Sequence, residues 1–152
     1  EYQRQLQKGE IQTAYQGLIQ YMMDLRTHFQ NQFSPEFVVG SLYQGYMDMS
    51  YFPATPKELK QRKLKIGVVL DQKKLQFSVC LLGQNKQVMK EVWEEIRAHK
   101  WKKYDVPPTP QETALEFVIV RSPNFDDLEA LTKQLETAVL AFIKDVQIFL
   151  SR

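Results

Sequence analysis

The chain has 152 residues, of which 43% are hydrophobic, 12% aromatic and 25% charged. This hydrophobic content excludes intrinsic disorder as the main state, because disordered chains combine low hydrophobicity with a high net charge. Six glycines and one cysteine exclude collagen-like chains and disulfide-stabilised scaffolds. The length predicts one domain, residues 1–152.

The charges are unevenly distributed, although the formal net charge is only +2. Residues 54–103 carry 13 basic and 5 acidic side chains, whereas the rest of the chain carries 7 basic and 13 acidic ones. A basic segment can bind an anion, or it can be a lysine-rich surface that keeps the protein in solution. The second interpretation is favoured, because charged runs more often serve solubility.

The first segment has the pattern of a long amphipathic helix, predicted from about Gly9 to Gln32. Its apolar residues recur at alternating steps of four and three, which keeps them on one helical face. They are Ile11, Tyr15, Leu18, Met22, Leu25 and Phe29. The helix is expected to end before Pro35, because proline disfavours helical backbone at the residue before it.

The next segment mixes aromatic residues, methionines and glycines with few charges. Residues Leu42–Phe52 are predicted as a strand, and a helix over residues 36–47 is the alternative. Thr55 and Pro56 have the preferences of an N-cap and of a first helical position. They predict a short helix that ends at about Arg62.

The middle of the chain predicts a hairpin of two strands, Leu64–Asp71 and Leu75–Leu82. Nearly continuous apolar runs indicate that these strands are central and covered on both faces. A helix then runs from about Gln84 to Lys100, and a proline-containing loop leads to the strand Leu115–Arg121. The last helix ends at about Leu150.

This order of elements predicts an α+β fold with a four-stranded mixed or antiparallel sheet. The long first and last helices carry matching apolar stripes, so they are predicted to pack together and against one face of the sheet. The helix Gln84–Lys100 is predicted to be a crossover, and the opposite face of the sheet is its candidate position.

Common catalytic and nucleotide-binding motifs are absent, since the chain has no GxSxG, GxGxxG or GxxxxGK[ST]. The single Cys80 lies in an apolar run and cannot form an internal disulfide, which favours a cytoplasmic location. His28 and His99 lack the paired spacing of metal ligands, so neither a metal nor a cofactor is expected. No apolar stretch approaches the ~20 residues that span a bilayer, and no membrane contact is expected.

Asp48 is the acidic residue of the aromatic segment, with Tyr46 and Tyr51 close by in sequence. A carboxylate among aromatic rings can have a perturbed pKa and act as a general acid or base, with a tyrosine or His99 as its partner. An outward-facing Asp48 that caps a turn is the simpler alternative. Asp48 and His99 are therefore candidate catalytic residues only, for a hydrolase-type enzyme.

Two further interpretations concern nucleic acids. Residues 97–104 combine basic and aromatic side chains, which suits phosphate contacts and base stacking. Because the whole chain is nearly neutral, a helix terminus with Trp101 packed on the core is the favoured interpretation.

The order of elements also resembles restriction-endonuclease-like folds. In this chain Asp71 ends a strand, as the acidic metal ligand of those nucleases does, but the next strand has Gln76-Phe77-Ser78 at the position of the Glu-x-Lys motif that is needed to hold metal ions. Nucleic acid is therefore not an expected partner.

The leading hypothesis is a non-enzymatic domain that binds a small molecule or a partner protein. Tyrosine and tryptophan combine a large contact area with a polar atom, which suits recognition. The same side chains would suit a homodimer interface. The candidate binding residues are Tyr43, Tyr46, Asp48, Tyr51, Trp93 and Trp101.

Three segments carry a resemblance to a known family: LYQGYMDMSYF, LKIGVVL, and FSVCLLGQNK with the tryptophan that follows it. Together they resemble a family of small uncharacterised bacterial proteins of unknown function. The resemblance covers residues 10–150. It implies no activity, cofactor or catalytic residue, because none is known for the family.

Overall fold

The computed structural model describes all 152 residues and contains five helices and one sheet of five antiparallel strands. The strands are β1 (Phe37–Val39), β2 (Met49–Pro56), β3 (Leu64–Asp71), β4 (Gln76–Gly83) and β5 (Leu115–Arg121), and they are neighbours in this order. The helices are α1 (Tyr2–Lys8), α2 (Glu10–Phe33), α3 (Lys57–Gln61), α4 (Lys86–Arg97) and α5 (Leu128–Leu150). The α+β class is confirmed, but the sheet has five strands instead of four. None of the helices is both long enough and apolar enough to cross a membrane.

The two long helices, α2 and α5, share one hydrophobic cluster with one face of the sheet. Phe29 of α2 and Phe142 of α5 are fully buried in it, as is Val68 of β3. Burial of this apolar area is the main stabilisation that such a two-layer arrangement offers.

Polar contacts also connect α2 with α5. The hydroxyl oxygens of Tyr21 and Thr132 are 2.9 Å apart, and His28 Nε2 lies 2.9 Å from Glu136 Oε1. Burial raises the pKa of Tyr21, and the hydrogen bond to Thr132 opposes this shift. The two helices therefore lie side by side on the sheet.

The crossover helix α4 packs on the same side of the sheet as α2 and α5. Its buried residues, Met89, Val92, Trp93 and Ile96, belong to the same hydrophobic cluster. A Cβ atom added at Gly83 of β4 would overlap the backbone of Met89, so glycine is required where α4 crosses the sheet. The opposite face of the sheet is therefore not covered by α4.

The alternation along β3 and β4 shows which side chains face the helices. In β4, Phe77, Val79 and Leu81 are fully buried within the hydrophobic cluster. The intervening residues, Gln76, Ser78, Cys80 and Leu82, point to the opposite face, where no helix packs. All residues of β4 except Leu82 are buried, so the prediction that a central strand is covered on both faces holds for β4, although no helix packs on its second face. In β3 the prediction holds less well, because Lys65 is exposed.

The segment before β3 departs most from the sequence prediction. Of the predicted strand Leu42–Phe52, only residues 49–52 are strand, as the start of β2, and residues 42–48 form a loop. The alternative helix over residues 36–47 is absent, and that range contains the short strand β1 instead. Gly45 and Met47 have φ angles of +74° and +65°. Left-handed backbone at these positions is incompatible with a continuous strand or helix.

Thr55 does not cap α3, contrary to the prediction. The helix begins at Lys57, and Thr55 Oγ1 instead accepts a hydrogen bond from the backbone N–H of Ile66 at 3.1 Å. The backbone register of β2 with β3 ends at Pro53 and Gly67. The threonine side chain thus continues the connection between the two strands where their backbone pairing stops.

Candidate functional site

The face of the sheet opposite the helices forms a groove of about 390 Å³, which we call the sheet groove. Strands β2 to β5 and the loop before β5 contribute its lining. Because alternate residues of a strand share a face, Gln76, Ser78 and Cys80 follow one another along its floor. The lining residues are Met49, Tyr51, Val69, Asp71, Gln76, Ser78, Cys80, Leu82, Glu112, Thr113 and Glu116.

The register of the strands determines which side chains are neighbours in the middle and at one end of the sheet groove. Val69 pairs with Tyr51 of β2 and with Ser78 of β4, so an aromatic ring, an aliphatic side chain and a hydroxyl lie side by side. Two residues further along, Asp71 pairs with Gln76. A carboxylate and a carboxamide are therefore neighbours at this end.

The other end of the sheet groove is acidic. Glu116 of β5 pairs with Cys80 of β4, and Glu112 comes from the loop immediately before β5. With Asp71, three carboxylates line the sheet groove, and no lysine, arginine or histidine lines it. No group of three or more His, Cys, Asp or Glu side chains is arranged to hold a metal ion.

Two polar side chains on the floor of the sheet groove are buried without a hydrogen-bond partner in the chain. Ser78 is 3% exposed and Gln76 is 8% exposed, and the little exposure that their polar atoms keep is toward the sheet groove. The nearby buried Ser50 differs, because it donates a hydrogen bond to Gln44 O at 2.6 Å and accepts one from Gln72 Nε2 at 2.8 Å. The polar atoms of Ser78 and Gln76 are not sealed from solvent, since the buried side-chain atom that lacks a partner is Gln12 Oε1. Ser78 and Gln76 therefore keep hydrogen-bonding capacity that the chain does not use, and it faces the sheet groove.

The thiol of Cys80 is not a nucleophile at neutral pH. Burial raises its pKa to about 12, and the negative charge of Glu116 acts in the same direction. Nucleophilic cysteines need a lowered pKa, which gives the thiolate near neutral pH. Cys80 therefore serves the sheet groove as a small apolar side chain.

Asp48 lies exposed in the loop between β1 and β2. Its Oδ1 atom accepts hydrogen bonds from the backbone N–H groups of Tyr46 at 3.1 Å and Met49 at 2.7 Å. These two bonds lower the pKa of Asp48, so the carboxylate is ionised at neutral pH. Next to it, Gly45 has no room for a side chain, because an added Cβ would overlap Met49 O. Asp48 thus has the geometry of a residue that stabilises a turn.

The tyrosines of the predicted binding surface come together only in part. The ring centroids of Tyr43 and Tyr51 are 5.4 Å apart, and their backbones exchange two hydrogen bonds of 2.8 Å and 2.9 Å. Tyr46 is 91% exposed and projects from the loop. Of the predicted binding residues, only Tyr51 lines the sheet groove.

The two tryptophans lie on the helical side of the sheet and are not brought to the tyrosines. Trp93 is buried in α4, and its Nε1–H donates to Pro107 O at 2.9 Å. The Nε1–H of Trp101 donates to Ile96 O at 3.1 Å. Both indole N–H groups are thus satisfied within the chain, and both rings pack against the hydrophobic cluster.

The aromatic rings of residues 97–104 are also engaged in packing. The ring of Trp101 lies 5.1 Å from that of Phe149 in α5. The hydroxyl of the buried Tyr104 donates a hydrogen bond to Asp145, and burial together with this carboxylate raises the pKa of Tyr104. Tyr104 is thus buried, and Trp101 is partly buried against the hydrophobic cluster.

His99 lies beside these rings and far from the loop of Asp48. Its ring centroid is 5.1 Å from that of Trp101, and its Nδ1 is 3.2 Å from an Nη atom of Arg152. The structure therefore does not bring the two candidate catalytic residues, Asp48 and His99, together.

Comparison with known proteins gives a family for the chain. A family model described as a domain of unknown function, DUF7000, matches residues 1–150. The chain belongs to this family. The resemblance to a family of unknown function is confirmed, and a search of curated proteins and a search of solved structures gave no match. The function of this DUF7000 domain has to be inferred from its site.

The floor residues Gln76 and Ser78 were not predicted as site residues. One signal in the sequence does indicate them: polar residues at 76 and 78 alternate with apolar residues at 77 and 79. A period of two places 76, 78 and 80 on one face of a strand. The signal is weak because the run of apolar residues from 79 to 82 hides the alternation.

Proposed function

We propose that this DUF7000 domain, taken as one unit over residues 1–152, binds a small organic molecule in the sheet groove without catalysing a reaction on it. The observation that carries the proposal is the pair of buried floor side chains, Ser78 and Gln76, which lack hydrogen-bond partners in the chain. A ligand would supply those partners. Small-molecule sites typically combine apolar surface with a few polar groups in volumes of roughly 300–1,000 Å³.

The non-catalytic part of the proposal is supported by the state of the candidate reactive groups. The Cys80 thiol is protonated at neutral pH, and the Asp48 carboxylate is ionised and bonded to its own loop. A general acid or base needs access to the substrate and a pKa suited to the transfer of a proton. The alternative, a hydrolase that uses Asp48 in an aromatic cleft, is not supported by this exposed position.

Replacing Ser78 with Ala is expected to leave the free energy of unfolding unchanged or to raise it by up to about 1 kcal/mol, because the hydroxyl has no partner in the chain to lose. Ser50→Ala is the matched control, since this buried serine makes two hydrogen bonds, and it should cost about 1–3 kcal/mol. Urea denaturation monitored by circular dichroism measures both. Equal losses in the two variants would show that the Ser78 hydroxyl has a structural role.

The binding itself is tested with a library of small molecules and an isotope-labelled protein. We expect compounds that shift the amide resonances of Val69, Ser78 and Glu116 while those of α4 stay unchanged. Ser78→Ala should weaken such binding by about fivefold to tenfold, the effect of one lost hydrogen bond. Compounds that shift only other regions, or no compound that reaches the sheet groove at millimolar concentration, would contradict the proposal.

A second candidate function is self-association through the loop of residues 40–48, which we call the aromatic loop. One observation favours it: Tyr46 is 91% exposed, next to Met47 at 47% and near Tyr43 at 48%. Neighbouring exposed apolar side chains commonly mark an interface. The second copy of the chain would cover these side chains.

Replacing Tyr46 with Ser is expected to shift the protein toward the monomer if the aromatic loop forms a dimer interface. Tyr2→Ser is the control, because Tyr2 is also a tyrosine with high exposure, 80%, but lies in α1. Sedimentation velocity over a hundredfold range of concentration measures the equilibrium. Identical sedimentation of the wild type and both variants at every concentration would exclude this interface.

A further inference from the structure

We propose that the ligand of the sheet groove is a small organic cation, with an ammonium group at the end formed by Glu112 and Glu116 and a polar group that reaches Ser78. The inference rests on the proposed function and adds the chemical class of the ligand. Its basis is the charge of the lining, the free carboxylates at one end, and the distance from them to the unpartnered floor residues.

The charge of the lining selects the sign of the ligand. The three lining carboxylates belong to Asp71, Glu112 and Glu116, and no basic side chain lines the sheet groove. This is a local property, because the chain as a whole carries 20 basic and 18 acidic side chains. A cation is attracted to such a lining and an anion is repelled, and partial burial strengthens both effects relative to water.

The position of the ammonium group follows from which carboxylates are free. Asp71 Oδ1 accepts a hydrogen bond from the backbone N–H of Lys74 at 3.0 Å, so part of the hydrogen-bond-accepting capacity of this carboxylate is used within the chain. The carboxylates of Glu112 and Glu116 accept no hydrogen bond from the chain, and the ion pairs of the chain lie elsewhere, on α1 and between α2 and α5. An ammonium group has three N–H donors and can bind both free carboxylates.

The spacing of residues along β4 and the polarity of the lining indicate the length and the functional groups of the ligand. Ser78 lies two residues from Cys80, the cross-strand partner of Glu116, which corresponds to about 7 Å along β4. The surface around them is mostly apolar or aromatic, with Val69 beside Ser78, Tyr51 beside Val69, and Leu82 beyond Cys80. The geometry therefore fits an amine with a short apolar body and a hydroxyl or amide at its far end.

Tyramine has this arrangement, and two compounds of nearly the same shape differ from it in charge. They are the neutral 4-hydroxyphenylethanol and the anionic 3-(4-hydroxyphenyl)propionate. Titration of the isotope-labelled full chain should show that tyramine shifts the resonances of the sheet groove at a concentration at least about tenfold lower than the neutral compound does, and that the anion shifts none of them.

Variants connect this preference to the two carboxylates. Glu116→Gln and Glu112→Gln should each weaken tyramine binding about fivefold or more and leave the neutral compound unaffected, because only the charge is removed. Glu95→Gln, on the exposed side of α4, is the control and should change neither affinity. Glu112 lies in a loop and Glu116 in β5, so if one substitution disturbs folding, the other variant still tests the inference.

The outcomes separate the two proposals. Equal affinity for tyramine and the neutral compound in the sheet groove, or tighter binding of the anion, would overturn the cation inference and leave the sheet groove as a binding site. Failure of all three compounds to shift the sheet groove, together with a negative library screen, would overturn the proposed function itself. Tyramine binding that both Glu→Gln variants leave unchanged would also contradict the inference.

Discussion

Replacing Phe29 with Ala is expected to lower the free energy of unfolding by about 3–5 kcal/mol. Phe29 is fully buried between α2 and the sheet, and its ring centroid lies 5.6 Å from that of Phe33 and 5.9 Å from that of Phe52 in β2. The variant loses the transfer free energy of the ring and leaves a cavity among side chains that cannot fully collapse. The loss is large compared with the roughly 5–15 kcal/mol of a typical domain.

Urea denaturation at neutral pH measures this loss, with Met23→Ala as the control on the same helix. Met23 is 46% exposed, so its truncation should cost less than about 1 kcal/mol. If Phe29→Ala cost no more than Met23→Ala, the packing of α2 against β2 would be refuted, and with it the assignment of the opposite face as the uncovered one.

The second large effect concerns alkaline pH, where Cys80 is expected to destabilise the fold by up to about 4 kcal/mol between pH 9 and pH 12. The pKa of its thiol is about 12 in the folded chain, against an ordinary value of 9.0. Between these values the unfolded chain releases the thiol proton and the folded chain retains it. Stability is therefore complete below pH 9 and falls as the pH rises toward 12.

Cys80→Ala isolates this contribution. The variant loses some buried volume and should be slightly less stable than the wild type at pH 7.5, but the difference should shrink and reverse sign as the pH passes 10. Tyr104, whose pKa is also raised, is present in both proteins, so its effect cancels in the difference. A difference that stays constant from pH 7.5 to pH 11 would show that the Cys80 thiol titrates normally.

Most helices and the central strands could be predicted from local pattern. The apolar stripe that ends at Phe29 has a helical period, and the hairpin of β3 and β4 is bounded by a short polar turn. The course of the aromatic loop could not be predicted, because the composition of residues 40–48 is typical of a strand. Its course depends on left-handed backbone at Gly45 and Met47 and on pairing of Tyr43 with Tyr51. Such pairing is a tertiary contact without a local signal.

The candidate site was harder to predict than the fold. Aromatic density indicated Tyr51, which lines the sheet groove, but it also indicated Trp93 and Trp101, whose rings pack on the helical side. Composition does not tell on which face of the sheet a helix will pack. The sheet groove can be identified only from the strand register, which places Asp71, Gln76 and Ser78 together on the face that α4 does not cover.

Successive residues of β4 face opposite sides of the sheet, so the same strand contributes side chains to both the sheet groove and the hydrophobic cluster. Ser78 faces the sheet groove, while Phe77 and Val79 on either side of it are fully buried against the helices. Any substitution at Phe77 or Val79 that moves β4 therefore moves Ser78 as well. If the sheet groove binds a ligand as proposed, repacking the interior beneath β4 is expected to alter the ligand preference without changing any residue that lines the sheet groove.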